Sequence, residues 1–468
     1  MTTQTEGRRL TGQLGPIGIV FMVVAAAAPL TVIGGNMPLA MGLGNGAGAP
    51  VGFVIAALVL LVFSVGFVTM TPYVPEAGAF FSYVTLGLGD RLGKGVAVVA
   101  LIAYTAIQIG IYGYIGWAID DTVRFYGGPE LPWPLYAFAI LAIVAVLGYR
   151  HIDLSAKVLG IALALEIGIV VVLDLVMVAN PSPAGVTFTS FTPSVFTQGT
   201  IGIAILFALT GFIGFEATAV FRDEARDPER TIPIATYAAV IIIGAFYAIT
   251  VWAFVVAIGP DNVTAVANQT LDGEGNMLLD TTESMLGTIG RDIVNVLLLT
   301  SLFACVLSFH NVIARYQFVL SRKGLLPARL GAVHGGHHSP AFSSVAQTVT
   351  AALIVGVLAV LGIDPLVGVF GSMAGVATVG MVILMLTTSI AVLVFFLRNR
   401  DRVSGVWQTR IAPTVAVLGL LGCLWLVLSN FTLVTGGSVG LSAVLAAIPF
   451  LGLVVGALAW KPSTSISS

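Results

Sequence analysis

Two acidic residues lie inside long apolar stretches of this sequence, Glu216 in FALTGFIGFEATAVF and Glu166 in VLGIALALEIGIVVVLDLV. A carboxylate within a membrane segment is costly and by default marks a functional position. We therefore interpret both acids as candidates for proton or ion coupling. The alternative for Glu216 is an acid locked by hydrogen bonds that braces its helix, whereas Glu166 would need a proton, a cation or a buried basic partner. Asp174, farther along the second stretch, is expected to reach the membrane interface and is interpreted as structural.

Helix-breaking residues interrupt the stretch around Glu216 and one other stretch, AAAAPLTVIGGNMP, near the N-terminus. Lipid cannot satisfy the backbone groups that such breaks free, so each break is predicted to line a cavity. Free N–H groups suit a substrate carboxylate, and free carbonyls suit an ammonium group. Close packing of helices by small residues is the alternative. The predicted substrate-binding residues at the two breaks are Ala26, Ala27, Ala28, Pro29 and Thr31, together with Gly211 and Gly214.

The composition excludes a soluble domain, because 57% of the 468 residues are hydrophobic and only 9% are charged. The two cysteines, Cys305 and Cys423, lie in apolar runs, where neither a disulfide nor a metal site is expected. The sequence has no GxxxxGK[ST] motif and no nucleophile–His–acid set. It therefore predicts neither an enzyme nor a cofactor, metal or nucleic-acid site.

Apolar runs of about 20 residues predict twelve membrane spans. The segment 76–88 is too short to cross a membrane and is predicted to be an interfacial helix. Residues 1–14 and 461–468 are predicted to be polar tails that flank a single transporter domain over 15–460. The predicted spans lie near 15–42, 50–71, 96–119, 132–149, 156–179, 198–220, 233–259, 285–319, 341–363, 365–397, 412–430 and 438–460.

The basic residues predict the orientation of these spans, because Lys and Arg concentrate on the cytoplasmic side. With the N-terminus inside, only Arg124 and Arg291 of the 20 Lys and Arg fall on the outer side. The long outer loop 258–292 instead carries several acids. We therefore expect a multi-pass plasma-membrane protein with both termini in the cytoplasm.

The interrupted spans are the first and the sixth, and their spacing indicates an inverted repeat. Discontinuous helices at matching positions of two five-span halves are typical of transporters that bind substrate near the bilayer midplane. The predicted repeats are 15–179 and 198–397. Helices eleven and twelve, over 412–460, then lie outside the repeat.

Three motifs resemble those of the amino acid–polyamine–organocation transporter superfamily. GFIGFEATAVFRDEARDPERTIPIA resembles its sixth-span signature, NVIARYQFVLSRKGLLPARL the end of its eighth span, and YVPEAGAFFSYVTLGLGDRLG the loop between its second and third spans. The resemblance implies an all-α polytopic membrane protein with about twelve transmembrane helices. It also implies a 5+5 inverted repeat (LeuT-like fold) with discontinuous helices 1 and 6. The departure is in span one, where AAAAPLT stands in place of a Gly-Ser-Gly-like break.

The resemblance also assigns roles to further residues. It implies that the third span lines the pocket, where Tyr104 and Gln108 are candidate substrate-binding residues. A polar stripe of this kind can equally be a hydrogen-bonded seam between helices. Phe212 and Phe309 match gating aromatic positions, although packing is the commoner role of such residues. Glu166 matches a position that carries a lysine in some proton-coupled relatives.

The sequence predicts a secondary active transporter that moves an amino acid or related amine by alternating access, with H⁺ as the driving ion. The alternatives are an exchanger without net ion coupling and a permease for polyamines or other organic cations. A channel would show charge rings or filter repeats, and a membrane sensor would carry a soluble output domain. The sequence shows neither. The expected partners are a small-molecule substrate, H⁺ and the lipid bilayer, and both neutral and cationic substrates remain open.

Overall fold

The computed structural model describes residues 15–74, 80–150, 156–220, 225–332, 340–399 and 405–458 of the chain. Within these ranges most residues are helical. The α-helices are α1 Pro16–Ala26, α2 Pro29–Thr31, α3 Met37–Leu39, α4 Ala49–Met70, α5 Phe80–Leu88, α6 Asp90–Phe125, α7 Trp133–Tyr149, α8 Ala156–Ala179, α9 Pro193–Phe196, α10 Ile201–Thr210, α11 Ala217–Val220, α12 Pro228–Ile258, α13 Val263–Leu271, α14 Met277–Arg322, α15 Ala341–Val360, α16 Ser372–Arg398, α17 Ala412–Ser429 and α18 Val439–Leu458.

Shorter turns of other helix types join or extend these helices. The π-helical turns are Val32–Asn36, Ala40–Asn45, Pro365–Gly371 and Trp407–Ile411. The 3₁₀ turns are Gly46–Gly48, Thr71–Tyr73, Thr189–Phe191, Ala328–Gly331 and Phe431–Thr435.

The helices confirm the prediction of an all-α polytopic membrane protein. Among the described residues, nine helical stretches are long and apolar enough to cross a membrane. One of them, Pro16–Tyr73, has 58 residues and contains the first two predicted spans. The shorter apolar helices Trp133–Tyr149 and Ile201–Thr210 coincide with the fourth and sixth predicted spans. The first span thus comprises α1 to α3 with their π turns, and the sixth comprises α10 and α11.

The outward faces of the helices are apolar, as lipid contact requires. On α15 the exposed residues Val345, Val349, Leu353 and Val357 recur every fourth residue, which places them on one face. The buried residues of the same helix include the polar Ser344 and Gln347. A helix with its polar residues inside and its apolar residues outside is stable in a bilayer rather than in water.

The helix contacts pair up as an inverted repeat requires. α1 of the first half packs on α12 of the second half, and α10 of the second half packs on α4 of the first. Likewise α6 packs on α16 and α14 packs on α8, whereas α6 contacts α7 and α14 contacts α15. The helices α4, α6, α7 and α8 are spans two to five, and α12, α14, α15 and α16 are spans seven to ten. Within each pair, one contact becomes the other when span n is exchanged with span n + 5. The two halves therefore share one packing pattern, with the interrupted spans at equivalent places.

Two segments outside the long spans also form helices. α5 has nine residues, too few to span the hydrocarbon, and packs on α6 and α16 where the short helix 76–88 was predicted. α14 begins at Met277, but non-helical backbone at Gly287, where φ is 73° and ψ is 179°, divides it into two helices, and the second begins close to the predicted start of the eighth span at 285. α13 and the start of α14 pack beside the second half of the first span.

Candidate functional site

The first span is interrupted where α1 meets α2. Pro29 begins α2 without an N–H, and the α region is disfavoured for a residue that precedes proline. Ala28, which precedes this proline, adopts φ 46° and ψ 73°, and among the described residues it is the one non-glycine residue with positive φ. A left-handed alanine costs about 1–2 kcal/mol, so the surrounding packing must hold this break open.

The two glycines in AAAAPLTVIGGNMP lie outside the interruption of the first span. Gly34 and Gly35 lie in the π-helical turn Val32–Asn36, beyond the break. A Cβ on Gly35 would lie 2.8 Å from the Tyr114 ring. These glycines therefore permit close packing against α6, and the interruption itself is at Ala28.

The sixth span is interrupted over residues 211–216, between α10 and α11. Its backbone here forms i→i+3 turns, such as Ile213 N–H to the Thr210 carbonyl, in place of α-helical bonds. Gly214 has φ 110°, which a residue with a Cβ rarely adopts. The predicted break around Gly211 and Gly214 thus coincides with non-helical backbone.

Hydrogen bonds and close packing tie the two breaks together. Asn36 Nδ2 donates to the Phe207 carbonyl over 2.8 Å, which links the first span to the sixth. A Cβ on Gly211 would lie 3.0 Å from Val32 Cγ1. Tyr247 Oη on α12 donates to the Ala27 carbonyl over 3.2 Å. The interrupted backbone is therefore held by neighbouring spans.

A small cavity of about 30 Å³ lies between the breaks. This volume accommodates about two water molecules, so an amino acid could enter only after the cavity widens. The hydroxyl of Thr31 on its wall is buried and has no hydrogen-bond partner among the described residues. The lining residues are Ala27, Ala28, Thr31, Val32, Asn36, Ile107, Ile111, Thr210, Ile213, Cys305, Phe309 and Phe370.

Glu216 lies beside the break of the sixth span, with 4% of its surface exposed. Tyr104 Oη on α6 donates to Oε1 over 2.7 Å, and the Gly214 N–H donates to Oε2 over 2.9 Å. The backbone N–H of Glu216 itself also donates to the carboxylate. The acid thus receives donors from its own break and from the third span.

Glu166 on α8 has an equivalent arrangement at the break of the first span. The Leu30 N–H, just after Pro29, donates to its carboxylate. Ser301 Oγ on α14 donates to Oε2 over 3.1 Å. Each break thus has an acid beside it that also accepts a hydroxyl from another span, the third for Glu216 and the eighth for Glu166.

Gln108 lies away from the cavity wall, in a chain of side-chain amides. Gln347 Nε2 donates to Gln108 Oε1 over 2.6 Å, and Gln317 Nε2 donates to Gln347 Oε1 over 3.0 Å. The chain connects α6, α15 and α14. This arrangement corresponds to a hydrogen-bonded seam between helices, which the sequence analysis gave as the alternative to substrate binding.

The other predicted binding residues differ in their position relative to the cavity. Ala27, Ala28, Thr31 and Phe309 line the cavity. Pro29 begins α2 and is buried. Ala26 ends α1, but its side chain lies outside the described part of the structure. Tyr104, Gly211, Phe212 and Gly214 are not among the residues that line the cavity.

The predicted N–H cradle of the sixth span is already engaged. The Gly211 N–H donates to the Phe207 and Ala208 carbonyls, and the Gly214 N–H donates to Glu216. In this conformation neither is available to a substrate. Phe212 is fully buried and packs edge-on against Tyr247, with ring centroids 6.3 Å apart.

Most of the wall was not predicted from the sequence. Asn36 and Thr210 carry a usable signal, since each is a polar residue near a break. The remaining lining residues are apolar and resemble any core position of a membrane helix. Among the described residues, no group of three His, Cys, Asp or Glu side chains is placed to hold a metal ion.

Comparisons with known proteins agree with this architecture. A family model described as amino acid permease matches residues 14–457. The branched-chain amino acid permease BcaP of Bacillus subtilis (strain 168) is 25% identical over 446 residues, which cover 91% of this chain and 90% of that protein.

Two other relatives from the same organism are also similar. The methylthioribose transporter is 21% identical over 403 residues, or 82% of this chain and 81% of that protein. The serine/threonine exchanger SteT is 22% identical over 274 residues, or 57% of this chain and 59% of that protein.

Proposed function

This chain belongs to the amino acid permease family and is a membrane transporter, and from that premise we propose that it carries a neutral amino acid with an aliphatic side chain by H⁺-coupled symport. The observation that supports the proposal most directly is the cavity between the two breaks. Its wall combines an unpartnered hydroxyl, that of Thr31, with a mainly apolar surface. Such a wall suits a ligand that has a polar end and an apolar side chain.

The side-chain class follows from the charge of the wall. Thr31, Asn36 and Thr210 are polar, and the described lining includes no charged residue. A charged substrate side chain buried here would lose its hydration without a counter-charge, which is unfavourable. The relation to a branched-chain amino acid permease over most of both chains supports the same class.

The polar end of the substrate is assigned to the break of the first span. Thr31 Oγ1 can donate to a carboxylate, and backbone N–H groups at the start of a helix favour an anion. The ammonium group then requires carbonyl oxygens of the interrupted backbone. Substrate would thereby hold the two halves of the first span in one orientation.

Coupling to H⁺ is assigned to Glu166 and Glu216. Each carboxylate accepts an N–H from one break, Leu30 or Gly214. Protonation removes the charge that strengthens these hydrogen bonds, so it loosens the acid from the break. A proton could therefore favour movement of a half-helix in the same step that admits or releases substrate.

The remaining features of the proposal concern placement in the membrane. Two five-span repeats, 15–179 and 198–397, would rock about the site, with the helices over 412–460 outside the repeat. The concentration of Lys and Arg supports a plasma-membrane orientation with both termini inside.

Uptake into proteoliposomes tests the proposal. Labelled leucine, lysine and glutamate are each supplied with and without an inward H⁺ gradient. The proposal predicts that leucine accumulates with the gradient and that lysine and glutamate do not. Leucine entry that ignores the gradient and requires a preloaded internal amino acid would contradict H⁺ coupling.

One observation favours the second candidate, an exchanger. Glu216 already receives hydrogen bonds from Tyr104, Gly214 and its own N–H, which suits a permanently ionised brace. The similarity to a serine/threonine exchanger is in keeping with this alternative. If the protein is an exchanger of this kind, Glu216→Gln should lower both the thermal stability and the rate of transport, with or without an H⁺ gradient.

A further inference from the structure

A second acid on α8 is buried where the sequence analysis expected it at the interface. Asp174 has 8% of its surface exposed. Thr250 Oγ1 on α12 donates to Asp174 Oδ2 over 2.8 Å. The other oxygen, Oδ1, is buried and has no hydrogen-bond partner among the described residues. One half of this carboxylate is thus unsatisfied inside the protein.

Among the described residues, Asp174 has no ion-pair partner, and its side chain accepts a hydrogen bond from Thr250. α8 packs against α1, α2, α12 and α14, and neither α1 nor α2 contains a titratable residue. On α12 and α14, Tyr247 and Cys305 interact with Glu166. In the charged first turns of α14, Arg291 pairs with Glu283, and Asp292 accepts from Tyr126. A buried acid without a basic partner is typical of proton relays in transporters.

Asp174 is aligned with Glu166 along the helix. The two acids are eight residues apart, which places them on one face of α8 about 12 Å apart. Both are buried. Opposite them on α12, Thr250 bonds Asp174, and Tyr247, one turn away, lies near Glu166 and donates to the Ala27 carbonyl. Carboxylates and hydroxyls therefore lie at intervals along facing sides of α8 and α12, from the predicted outer end of α8 to the break.

We propose that Asp174 is the outer entry point for the protons that reach Glu166, an inference that rests on the proposed H⁺ coupling. Asp174 takes a proton from external water and later gives it up to Glu166 through water that enters when the outer side opens. Asp174 then returns to a carboxylate and Glu166 becomes the neutral acid, so the total charge is unchanged. Asp174 is thus a positioning residue for the proton and does not contact the amino acid.

The test compares Asp174→Asn with Thr250→Val in proteoliposomes. Both variants disturb the same hydrogen bond, but only Asp174→Asn removes the titratable group. We expect Asp174→Asn to slow H⁺-driven leucine uptake about tenfold or more and to weaken its dependence on external pH. Counterflow exchange of leucine, which needs no net H⁺ movement, should stay within about twofold of the wild type in both variants. Thr250→Val should keep H⁺-driven uptake.

Three results would overturn the inference. Asp174→Asn with wild-type H⁺-driven uptake and pH dependence would show that protons bypass this residue. Equal losses of uptake and counterflow in both variants would show that Asp174 only holds α8 and α12 together. If the wild type itself shows no H⁺-driven accumulation, the proposed coupling fails first, and this inference fails with it.

Discussion

The hydroxyl of Tyr104 on α6 donates to Oε1 of Glu216 over 2.7 Å. Ser301 on α14 donates in the same way to Glu166. α6 and α14 occupy equivalent places in the two halves of the fold, and each acid also accepts an N–H from the adjacent break. The two acids themselves lie on non-equivalent spans, Glu216 on the sixth and Glu166 on the fifth, so the repeat accounts for the helix packing and not for these hydrogen bonds.

Removal of the Tyr104 hydroxyl tests what this bond contributes. Tyr104→Phe leaves Glu216 Oε1 without its side-chain donor, at a cost of about 1.5–3 kcal/mol for a bond to a charged group. We expect a lower Tm and slower H⁺-driven uptake. Tyr316→Phe is the matched control, because that neighbouring hydroxyl has no partner among the described residues. Equal effects of the two substitutions would argue against a special role for the bond.

The unpartnered hydroxyl of Thr31 is expected to bind substrate. Thr31→Val keeps the shape of the side chain and removes its donor, so it should raise the KM for leucine about tenfold, as expected for one hydrogen bond to a charged group. Thr31→Ser keeps the hydroxyl and should stay near the wild type. Initial uptake rates over a range of leucine concentrations measure both. A KM that Thr31→Val leaves unchanged would place the polar end of the substrate elsewhere.

The backbone at Ala28 predicts an unusual response to glycine. Ala28→Gly relieves about 1–2 kcal/mol of left-handed strain, which offsets the roughly 0.5–1 kcal/mol entropic cost of glycine. Its Tm should therefore not fall. Ala27→Gly is the control, since Ala27 has φ −69° and gains no relief, and it should lower the Tm. Thermal unfolding in detergent distinguishes the two. A larger drop for Ala28→Gly would contradict the strained break.

Ile111 is expected to limit the size of the accepted side chain. Ile111→Ala enlarges the cavity and should improve phenylalanine uptake relative to leucine about tenfold, because a few buried methylenes are worth 1–3 kcal/mol each in a hydrophobic pocket. Ile115→Ala removes the same atoms one turn farther along α6, from a buried residue that does not line the cavity. Competition between labelled leucine and unlabelled phenylalanine measures the ratio. An equal ratio of phenylalanine to leucine uptake in both variants would show that Ile111 does not select the substrate side chain.

The sequence predicted a polytopic membrane protein with two interrupted helices because both features depend on local signals. Apolar runs indicate spans, and Pro29 and Gly214 change the backbone where they stand. Of the helix breakers in the first span, Pro29 coincides with the break, whereas Gly34 and Gly35 lie beyond it and accommodate Tyr114. Phe370 and Ile107 could not be predicted as neighbours of the breaks, because packing brings them there from distant parts of the chain. The partners of Glu166 and Asp174 depend on packing in the same way.

The most direct test of the central claim records H⁺ movement itself. A pH-sensitive dye is enclosed in proteoliposomes without an imposed gradient, and external leucine is added. The account predicts internal acidification that follows leucine entry in the wild type. It predicts that Glu166→Gln and Glu216→Gln lose the acidification but keep leucine counterflow. Leucine entry without any change of internal pH in the wild type would contradict H⁺-coupled symport.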